Sequence, residues 1–260
     1  PGLNQFFEDH DGYFRGRDEE KAELFRLVKS ETLTILFAKS GLGKSSLLQA
    51  GLFPLLRQAA YLPVYIHIRH DDPATDAPPL VSQVYAAVRE ACAASKVEAP
   101  EIREEETLWE YFHRAGAAFW NERNRLVTPV IVLDQFEEAF TLGIENDRRR
   151  TRRDDFLAQL EELIENRPPL TLRQRWNENP ELVSNFEQDR TPCKIILSLR
   201  EDFLPDLEQL KEKIRSILHN RFRLERMDGG KAWQVVIGET IVDGEPRRAL
   251  SHLVDEDVAL

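Results

Sequence analysis

An apolar run followed by a glycine-rich turn and a helical pattern constrains this chain more than any other feature. Residues 32–38 read TLTILFA, which is typical of a central strand covered on both faces. The turn KSGLG follows, and KSSLLQAGLFPLL from residue 44 has helical periodicity until Pro54 disturbs it. A strand, a glycine turn and a helix in this order predict the first unit of a parallel α/β sheet.

The turn nearly matches the phosphate-binding pattern G-x-x-x-x-G-K-[S/T], in which glycines let backbone N–H groups converge on phosphates at a helix N-terminus. The lysine of this pattern contacts the outer phosphates, and the hydroxyl binds Mg²⁺. Ala38 replaces the first glycine, which would cost on the order of 1 kcal/mol if its φ were positive and little otherwise. The predicted nucleotide-binding residues are Ser40, Gly41, Leu42, Gly43, Lys44, Ser45 and Ser46.

A second apolar strand, PVIVLD over residues 129–134, ends in a carboxylate. Asp134 stands where a carboxylate can hold Mg²⁺ beside a phosphate loop, so Ser45 and Asp134 are the predicted metal ligands. Glu137 and Glu138 follow, and a carboxylate there can orient and deprotonate a water that attacks the γ-phosphate. Alone, such a pair is typical of a solvated helix start. The preceding aspartate favours a catalytic role.

A third apolar strand, CKIILSLR over residues 193–200, ends in Arg200. This end of a parallel sheet is where ligands gather, and a guanidinium there can sense or stabilise a γ-phosphate. We therefore predict Arg200 as a catalytic residue, with a salt bridge to Glu201 or Asp202 as the alternative. The guanine-reading segment N/T-K-x-D does not occur in the sequence, so ATP is predicted in preference to GTP.

Strands and helical patterns alternate along the chain, which predicts a mostly parallel α/β sheet. Together with the phosphate-binding turn after one of these strands, this predicts a three-layer αβα sandwich of the P-loop NTPase type. The remaining predicted elements are a strand at 61–68 and helices at 17–29, 80–95, 107–125 and about 156–164. We predict a P-loop domain over 1–226, in which 1–30 is an N-terminal segment with the first helix and 167–192 is an insertion of poor periodicity. A helical pattern from Phe222 predicts a small helical lid domain that begins over 227–260.

Composition restricts the partners and the compartment. A formal charge of −11 and a pI near 5.2 argue against a general nucleic-acid binder. No run of about 18 apolar residues could span a bilayer, and two distant cysteines match no metal or redox spacing. We therefore expect a cytoplasmic protein. Because the sequence starts at Pro1 and stops in DEDVAL, we also expect a fragment of a longer polypeptide.

The arginine-rich stretch DRRRTRRDD, with its run over 148–153, is predicted as a solvated surface loop. If it is functional, it presents charge to a neighbouring subunit or to an acidic partner.

In their order these motifs resemble the novel STAND NTPase domain, a bacterial relative of the NACHT and NB-ARC switch ATPases. The resemblance covers nearly the whole chain and rests on FRGRDEE, SGLGKSSLLQAGLF, VIVLDQFEEAF and IILSLREDFL. It implies a STAND-like fold in which Lys44 and Ser45 bind phosphate and Mg²⁺ and Asp134 binds Mg²⁺. It also implies that Glu137 is the catalytic acidic residue, that Arg200 senses the γ-phosphate and that Arg17 lies near the nucleotide.

The same resemblance implies ATP or ADP with Mg²⁺ as ligands and homo-oligomerisation on activation. It also implies fused or associated effector and sensor domains, and for many bacterial members a role in defence against phage. The lid departs from the family, because Gly238 precedes Glu239 where relatives often have a proline. An adenine contact from the lid is therefore not predicted.

Two alternatives remain open. A non-hydrolysing scaffold would keep the nucleotide as a structural ligand and act only through protein contacts. A P-loop nucleotide kinase would need an arginine-rich lid over a second substrate. The only candidate for such a lid in the sequence is 147–155, and its position after the strand that ends in Asp134 does not suit that role.

Overall fold

Mostly parallel strands form the centre of the molecule, and helices pack on both faces of the sheet. The structure is a computed structural model that describes residues 6–9, 14–67, 80–141, 147–189, 192–230, 239–242 and 245–248. The helices are α1 (Asp18–Ser30), α2 (Lys44–Ser46), α3 (Phe53–Gln58), α4 (Leu80–Ser95), α5 (Leu108–His113), α6 (Glu138–Thr141), α7 (Asp147–Ile164), α8 (Leu170–Glu178) and α9 (Leu204–Glu208). The strands are β1 (Leu33–Ala38), β2 (Tyr61–His67), β3 (Val97–Glu98), β4 (Phe119–Asn121), β5 (Leu126–Asp134), β6 (Lys194–Arg200), β7 (Arg221–Arg223), β8 (Glu239–Val242) and β9 (Glu245–Arg248).

The strand order places the ends of β1, β5 and β6 side by side. β1 lies between β6 and β7 and is parallel to both, β5 is parallel to β6, and β2 is parallel to β5 on its other side. Short β3 and β4 extend the sheet in antiparallel fashion beside the start of β5. In such sheets, ligands bind at the carboxyl ends of the strands where the strand order reverses. In this chain, the connection that leaves the carboxyl end of β1 passes β6 and β5 to reach β2. The prediction of a mostly parallel α/β sheet is confirmed.

Two apolar layers sandwich the sheet because alternate strand residues point to opposite faces. On one face, Leu36, Val132 and Ile196 pack with residues of α1 and of the helix after the glycine turn, among them Leu24, Leu48 and Phe53. On the other face, Ile35, Ile131 and Ile195 pack with α4, α5 and α7, through residues that include Val84, Phe112 and Phe156. Burial of each such side chain contributes about 1.5–3 kcal/mol, so the layers fix the strands that carry the site.

The helix after the glycine turn continues through Pro54 instead of ending there. A π-helical segment (Leu47–Leu52) joins α2 to α3, and the N–H of Phe53 donates to the carbonyl of Leu48, five residues back. Proline removes a backbone donor and crowds the carbonyl four residues earlier. The wider π turn is where the helix accommodates that change.

Two predicted segments have a different local structure. The predicted helix at 107–125 is wrong in its second half, because α5 ends at His113, Gly116 has a φ of 77°, and β4 follows. The predicted insertion at 167–192 contains α8 and a 3₁₀ helix (Pro180–Asn185). Both elements are short, which explains the poor periodicity.

The arginine-rich stretch is helical, not a loop. It lies in α7, which begins at Asp147, and arginine is a good helix former, so the run does not interrupt the helix. The helical expectation from Phe222 is also wrong locally, because β7 pairs with β1 and β8 pairs with β9. The domain limits 1–226 and 227–260 stay predictions, and Gly238 lies outside the described residues.

Within the described part of the chain, no helix combines the length and the apolar character that crossing a membrane requires.

A buried amide anchors the start of β1. Asn220 is 7% exposed, and its Nδ2 donates to the Leu33 carbonyl at 3.0 Å, the Thr34 hydroxyl at 2.7 Å and the Leu27 carbonyl at 3.2 Å. One donor group thus joins α1 to β1, the strand that leads into the glycine turn.

We expect Asn220→Asp to lower the free energy of unfolding by about 1–3 kcal/mol, because a carboxylate would face two carbonyl oxygens without a donor. Urea unfolding measures the change. The matched control is Asn179→Asp, where the side-chain oxygen accepts the Glu181 N–H at a helix start. Asp caps a helix N-terminus as well as Asn does, so the Asn179→Asp control should keep the stability of the wild type. Equal losses of unfolding free energy in the two variants would contradict this role of Asn220.

Candidate nucleotide-binding site

A cleft of about 720 Å³ lies at the carboxyl ends of β1, β5 and β6. All of the predicted site residues line this cleft: Arg17, Ser40, Gly41, Leu42, Gly43, Lys44, Ser45, Ser46, Asp134, Glu137, Glu138 and Arg200. Phe6, Phe14, Gln135, Thr141, Phe203 and Met227 complete the lining. The structure therefore brings together residues from five separate stretches of the chain, and their individual roles stay predictions.

The glycine turn depends on backbone conformations that favour glycine. Gly41 has a φ of 79° and Gly43 a φ of 87°, and a Cβ at either position would meet no atom within 4 Å. Glycine is thus required by the backbone and not by lack of space. Gly43 caps α2, so the N–H groups of the turn and the first helical residues gather at one end of the helix.

Ala38 fits its place without left-handed strain. It is the buried last residue of β1, in register with Arg200, and it is not among the residues with positive φ. The missing glycine therefore leaves the rest of the loop unaltered. The adjacent Lys39 points to solvent, with 63% of its side chain exposed and its Nζ 4.0 Å from Glu201.

A contact between the loop and β5 forms the centre of the cleft. The Ser45 hydroxyl donates to Asp134 Oδ2 at 2.5 Å, and the N–H of Gln135 donates to Asp134 Oδ1 at 3.0 Å. Asp134 itself is fully buried. A hydroxyl and a carboxylate are hard oxygen donors, and Mg²⁺ is bound by one or two carboxylates together with substrate phosphates. These residues fit Mg²⁺ held beside a phosphate chain.

Tyr65, which the sequence analysis did not single out, also binds this carboxylate. Its hydroxyl donates to Asp134 Oδ2 at 2.7 Å. The only indication in the sequence was that the apolar segment YLPVYIH has a tyrosine near the end of the predicted strand. The pairing of β2 with β5, which brings the Tyr65 hydroxyl to Asp134, could not be predicted from that segment.

The two predicted catalytic glutamates have different partners. Glu137 Oε2 accepts the backbone N–H of Arg200 at 3.2 Å, which holds this carboxylate at the end of β6. Glu138 Oε1 lies 3.6 Å from His67 Nε2. Both side chains are partly exposed to the cleft.

Arg200 makes the salt bridge that the sequence analysis gave as its alternative. Its Nη2 lies 2.6 Å from Asp202 Oδ2, and its guanidinium lies 5.8 Å from the centre of the Phe203 ring. The side chain is 44% exposed and also lines the cleft. A contact between Arg200 and a phosphate would therefore compete with Asp202.

Lys44 is a partly buried cation in the cleft. Burial lowers the pKa of Lys44, while the neighbouring carboxylates of Glu137 and Asp134 act in the opposite direction. An ammonium that is partly removed from water gains from further negative charge beside it. A phosphate group meets that requirement.

The N-terminal segment closes one end of the cleft. The N–H of Phe6 donates to the Ser46 hydroxyl at 3.0 Å, and the rings of Phe6 and Phe14 meet edge to face at 5.9 Å. Arg17 is 4% exposed, and its guanidinium lies 2.9 Å from Glu20. Of this segment, only Arg17 could be predicted as a site residue from the sequence, because isolated aromatic residues in a loop carry no local signal.

A slightly larger cleft, of about 780 Å³, lies between α5, α8 and the segment 103–107. Four of its charged side chains already form two ion pairs, Glu106 with Arg114 and Glu110 with Arg175. It contains no glycine turn at a strand end. The chemistry of the lining residues, and not the volume of the cleft, therefore identifies the cleft at the carboxyl ends of the strands as the candidate site.

Two solved structures of low sequence identity resemble the chain. The Walker-type ATPase of Pyrococcus abyssi aligns with 90% of this chain and 59% of its own, at 14% identity and a TM-score of 0.53. Cdc6p from Pyrobaculum aerophilum aligns with 84% of this chain and 48% of its own, at 15% identity and a TM-score of 0.46. The first likeness shows a shared fold, and the chain spans only about half to six-tenths of these proteins.

No curated protein sequence matches the chain. The family model described as Novel STAND NTPase 1 matches residues 1–244, which is most of the 260 residues. The chain belongs to the novel STAND NTPase family of P-loop NTPases.

Proposed function

We propose that the chain is a molecular switch that binds ATP with Mg²⁺ in this cleft and hydrolyses it slowly. The observation that carries the proposal is the Ser45–Asp134 hydrogen bond beside a glycine turn, with Lys44 lining the same cleft. These are the parts with which P-loop NTPases hold a nucleoside triphosphate. Family membership supports the same function.

Each residue has a separate task in the proposed reaction. The N–H groups of the glycine turn and the Lys44 ammonium bind the phosphates, and Lys44 offsets charge that develops on the leaving group. Glu137 accepts a proton from the attacking water, with the Arg200 N–H holding its carboxylate in place. Glu138 is the second candidate for this role. Ser45 and Asp134 would hold Mg²⁺, which would neutralise part of the phosphate charge.

The cleft also offers apolar side chains that suit a nucleobase. Phe6, Phe14 and Leu42 pack in one apolar cluster, and Met227 also lines the cleft. An amphiphilic ligand such as a nucleotide matches a lining that offers both apolar and cationic side chains. The choice of adenine over guanine rests on the absence of an N/T-K-x-D segment from the sequence.

The output of the switch is proposed on family membership alone. We propose that ATP favours homo-oligomerisation, which relays a signal to an effector in a pathway such as defence against phage. The effector and sensor domains would be fused to this chain or associated with it. A non-hydrolysing scaffold is the alternative. It predicts bound ADP without phosphate release by the isolated or assembled protein.

Replacement of the loop lysine tests nucleotide binding. We expect Lys44→Ala to weaken ATP affinity by about 10- to 100-fold, because a charge-assisted contact with phosphate is lost. Calorimetric titration measures the affinity. Lys39→Ala is the matched control, since Lys39 lies in the same loop and points to solvent. Unchanged ATP binding by Lys44→Ala would contradict the proposed site.

Replacement of the glutamates tests hydrolysis. We expect Glu137→Gln to keep ATP affinity and to lower phosphate release by about 10²- to 10⁴-fold, because the proton acceptor is removed. Glu138→Gln should retain most of the turnover, since Glu138 Oε1 lies 3.6 Å from His67 Nε2, whereas the Arg200 N–H holds Glu137 at the end of β6. If Glu138→Gln lost turnover and Glu137→Gln kept it, the base would be Glu138. If the wild-type chain released no phosphate, the scaffold alternative would be favoured.

Removal of the Asp202 carboxylate tests the proposed role of Arg200. We expect Asp202→Asn to raise the affinity for ATP relative to ADP by about 2- to 5-fold, the size expected from an exposed ion pair. The released guanidinium can then meet the γ-phosphate without competition. Glu201→Gln is the control, because Glu201 pairs with Arg223 instead. A lower preference for ATP in Asp202→Asn would reject γ-phosphate sensing by Arg200.

A further inference from the structure

The carboxylate of Asp134 has a donor that the proposed reaction does not use. Its Oδ2 accepts hydrogen bonds from two hydroxyl groups, Ser45 at 2.5 Å and Tyr65 at 2.7 Å. Its Oδ1 accepts the N–H of Gln135 at 3.0 Å. An ionised carboxylate has about four acceptor positions, so these three donors fix its orientation and leave about one position for a cation.

The fold determines the position of the Tyr65 hydroxyl. Tyr65 is in register with Val132 on the neighbouring parallel strand, two residues before Asp134. The Tyr65 ring packs on the same sheet face as Val132 and meets the ring of Phe53 edge to face at 6.1 Å. Since Phe53 belongs to the helix that follows the glycine turn, the tyrosine ring is held between β2 and that helix.

The chemistry of Ser45 makes this second donor significant. A hydroxyl can donate its proton to a carboxylate and present its lone pairs to a cation at the same time. Ser45 can therefore bind a metal while it remains bonded to Asp134. This requires that Asp134 Oδ2 stays directed at Ser45. The Tyr65 ring, which packs against Phe53, supplies a second constraint on the direction of this oxygen.

We propose that Tyr65 is a positioning residue of the metal site, whose hydroxyl holds the Asp134 carboxylate in the orientation that binds Mg²⁺ with a nucleotide. The inference rests on the proposed function, because the metal accompanies the nucleotide. Partners that orient a ligating carboxylate typically change metal affinity by about 10- to 100-fold when they are removed. Tyr65 does not contact the reacting atoms in this proposal.

A purely structural role for Tyr65 makes a different prediction. Tyr65→Phe retains the ring and its contact with Phe53, so a packing role would survive this substitution. The substitution removes the hydrogen bond to Asp134. Tyr61 offers a matched control, because it lies on the same strand and packs against the same apolar layer, four residues earlier.

The experiment measures Mn²⁺ binding to the ADP complex by electron paramagnetic resonance, together with binding of ADP in the presence of a chelator. We expect Tyr65→Phe to weaken Mn²⁺ binding by about 10-fold or more and to leave metal-free ADP affinity within about 2-fold of the wild type. Tyr61→Phe should match the wild type in both measurements.

Two results would overturn the inference while leaving the proposed function intact. One is an unchanged Mn²⁺ affinity in Tyr65→Phe. The other is an equal loss of metal-free ADP affinity, which would show that Tyr65 shapes the whole cleft and not the metal site. If the wild-type chain bound no ADP at all, the proposed function itself would fail, and this inference with it.

Discussion

The hydrogen bond between Ser45 and Asp134 is the interaction on which the rest of the site depends. It joins residues 89 positions apart in the chain, one at the start of a helix and one at the end of β5. Both ends are fixed only because β1 and β5 are held parallel by β6 between them. The glycine turn, the buried carboxylate and the tyrosine beside it all use the same edge of the sheet.

The sequence predicted the parts of the site that a local pattern encodes. Gly43 and Lys44 lie in the turn and helix start that follow one apolar strand, and Asp134 ends another. Parallel strands bring such positions together. Tyr65 was missed because its role follows from the pairing of β2 with β5, which no segment specifies alone. Local pattern also left two roles open for Arg200, and the structure shows its salt bridge with Asp202.

The errors in the fold have a similar origin. Apolar residues from Trp109 to Phe119 have helical spacing, which predicted one helix. Trp109 and Phe119 are both buried in the core, but Trp109 belongs to α5 and Phe119 to β4, because the chain turns at Gly116 between them. The strand Arg221–Arg223 is too short for a reliable pattern, and its pairing with β1 decides its conformation. The long strands and α4 were predictable because burial on one or both faces gives them a continuous pattern.

The cleft accounts for a switch only if its ligand is a metal-bound adenine nucleotide. Titration of the wild-type chain with ATP, with and without Mg²⁺ and in parallel with GTP, tests that claim most directly. The account predicts one ATP bound per chain, with affinity that rises with Mg²⁺ and exceeds that for GTP. No saturable binding of ATP, or binding that is indifferent to Mg²⁺, would contradict it.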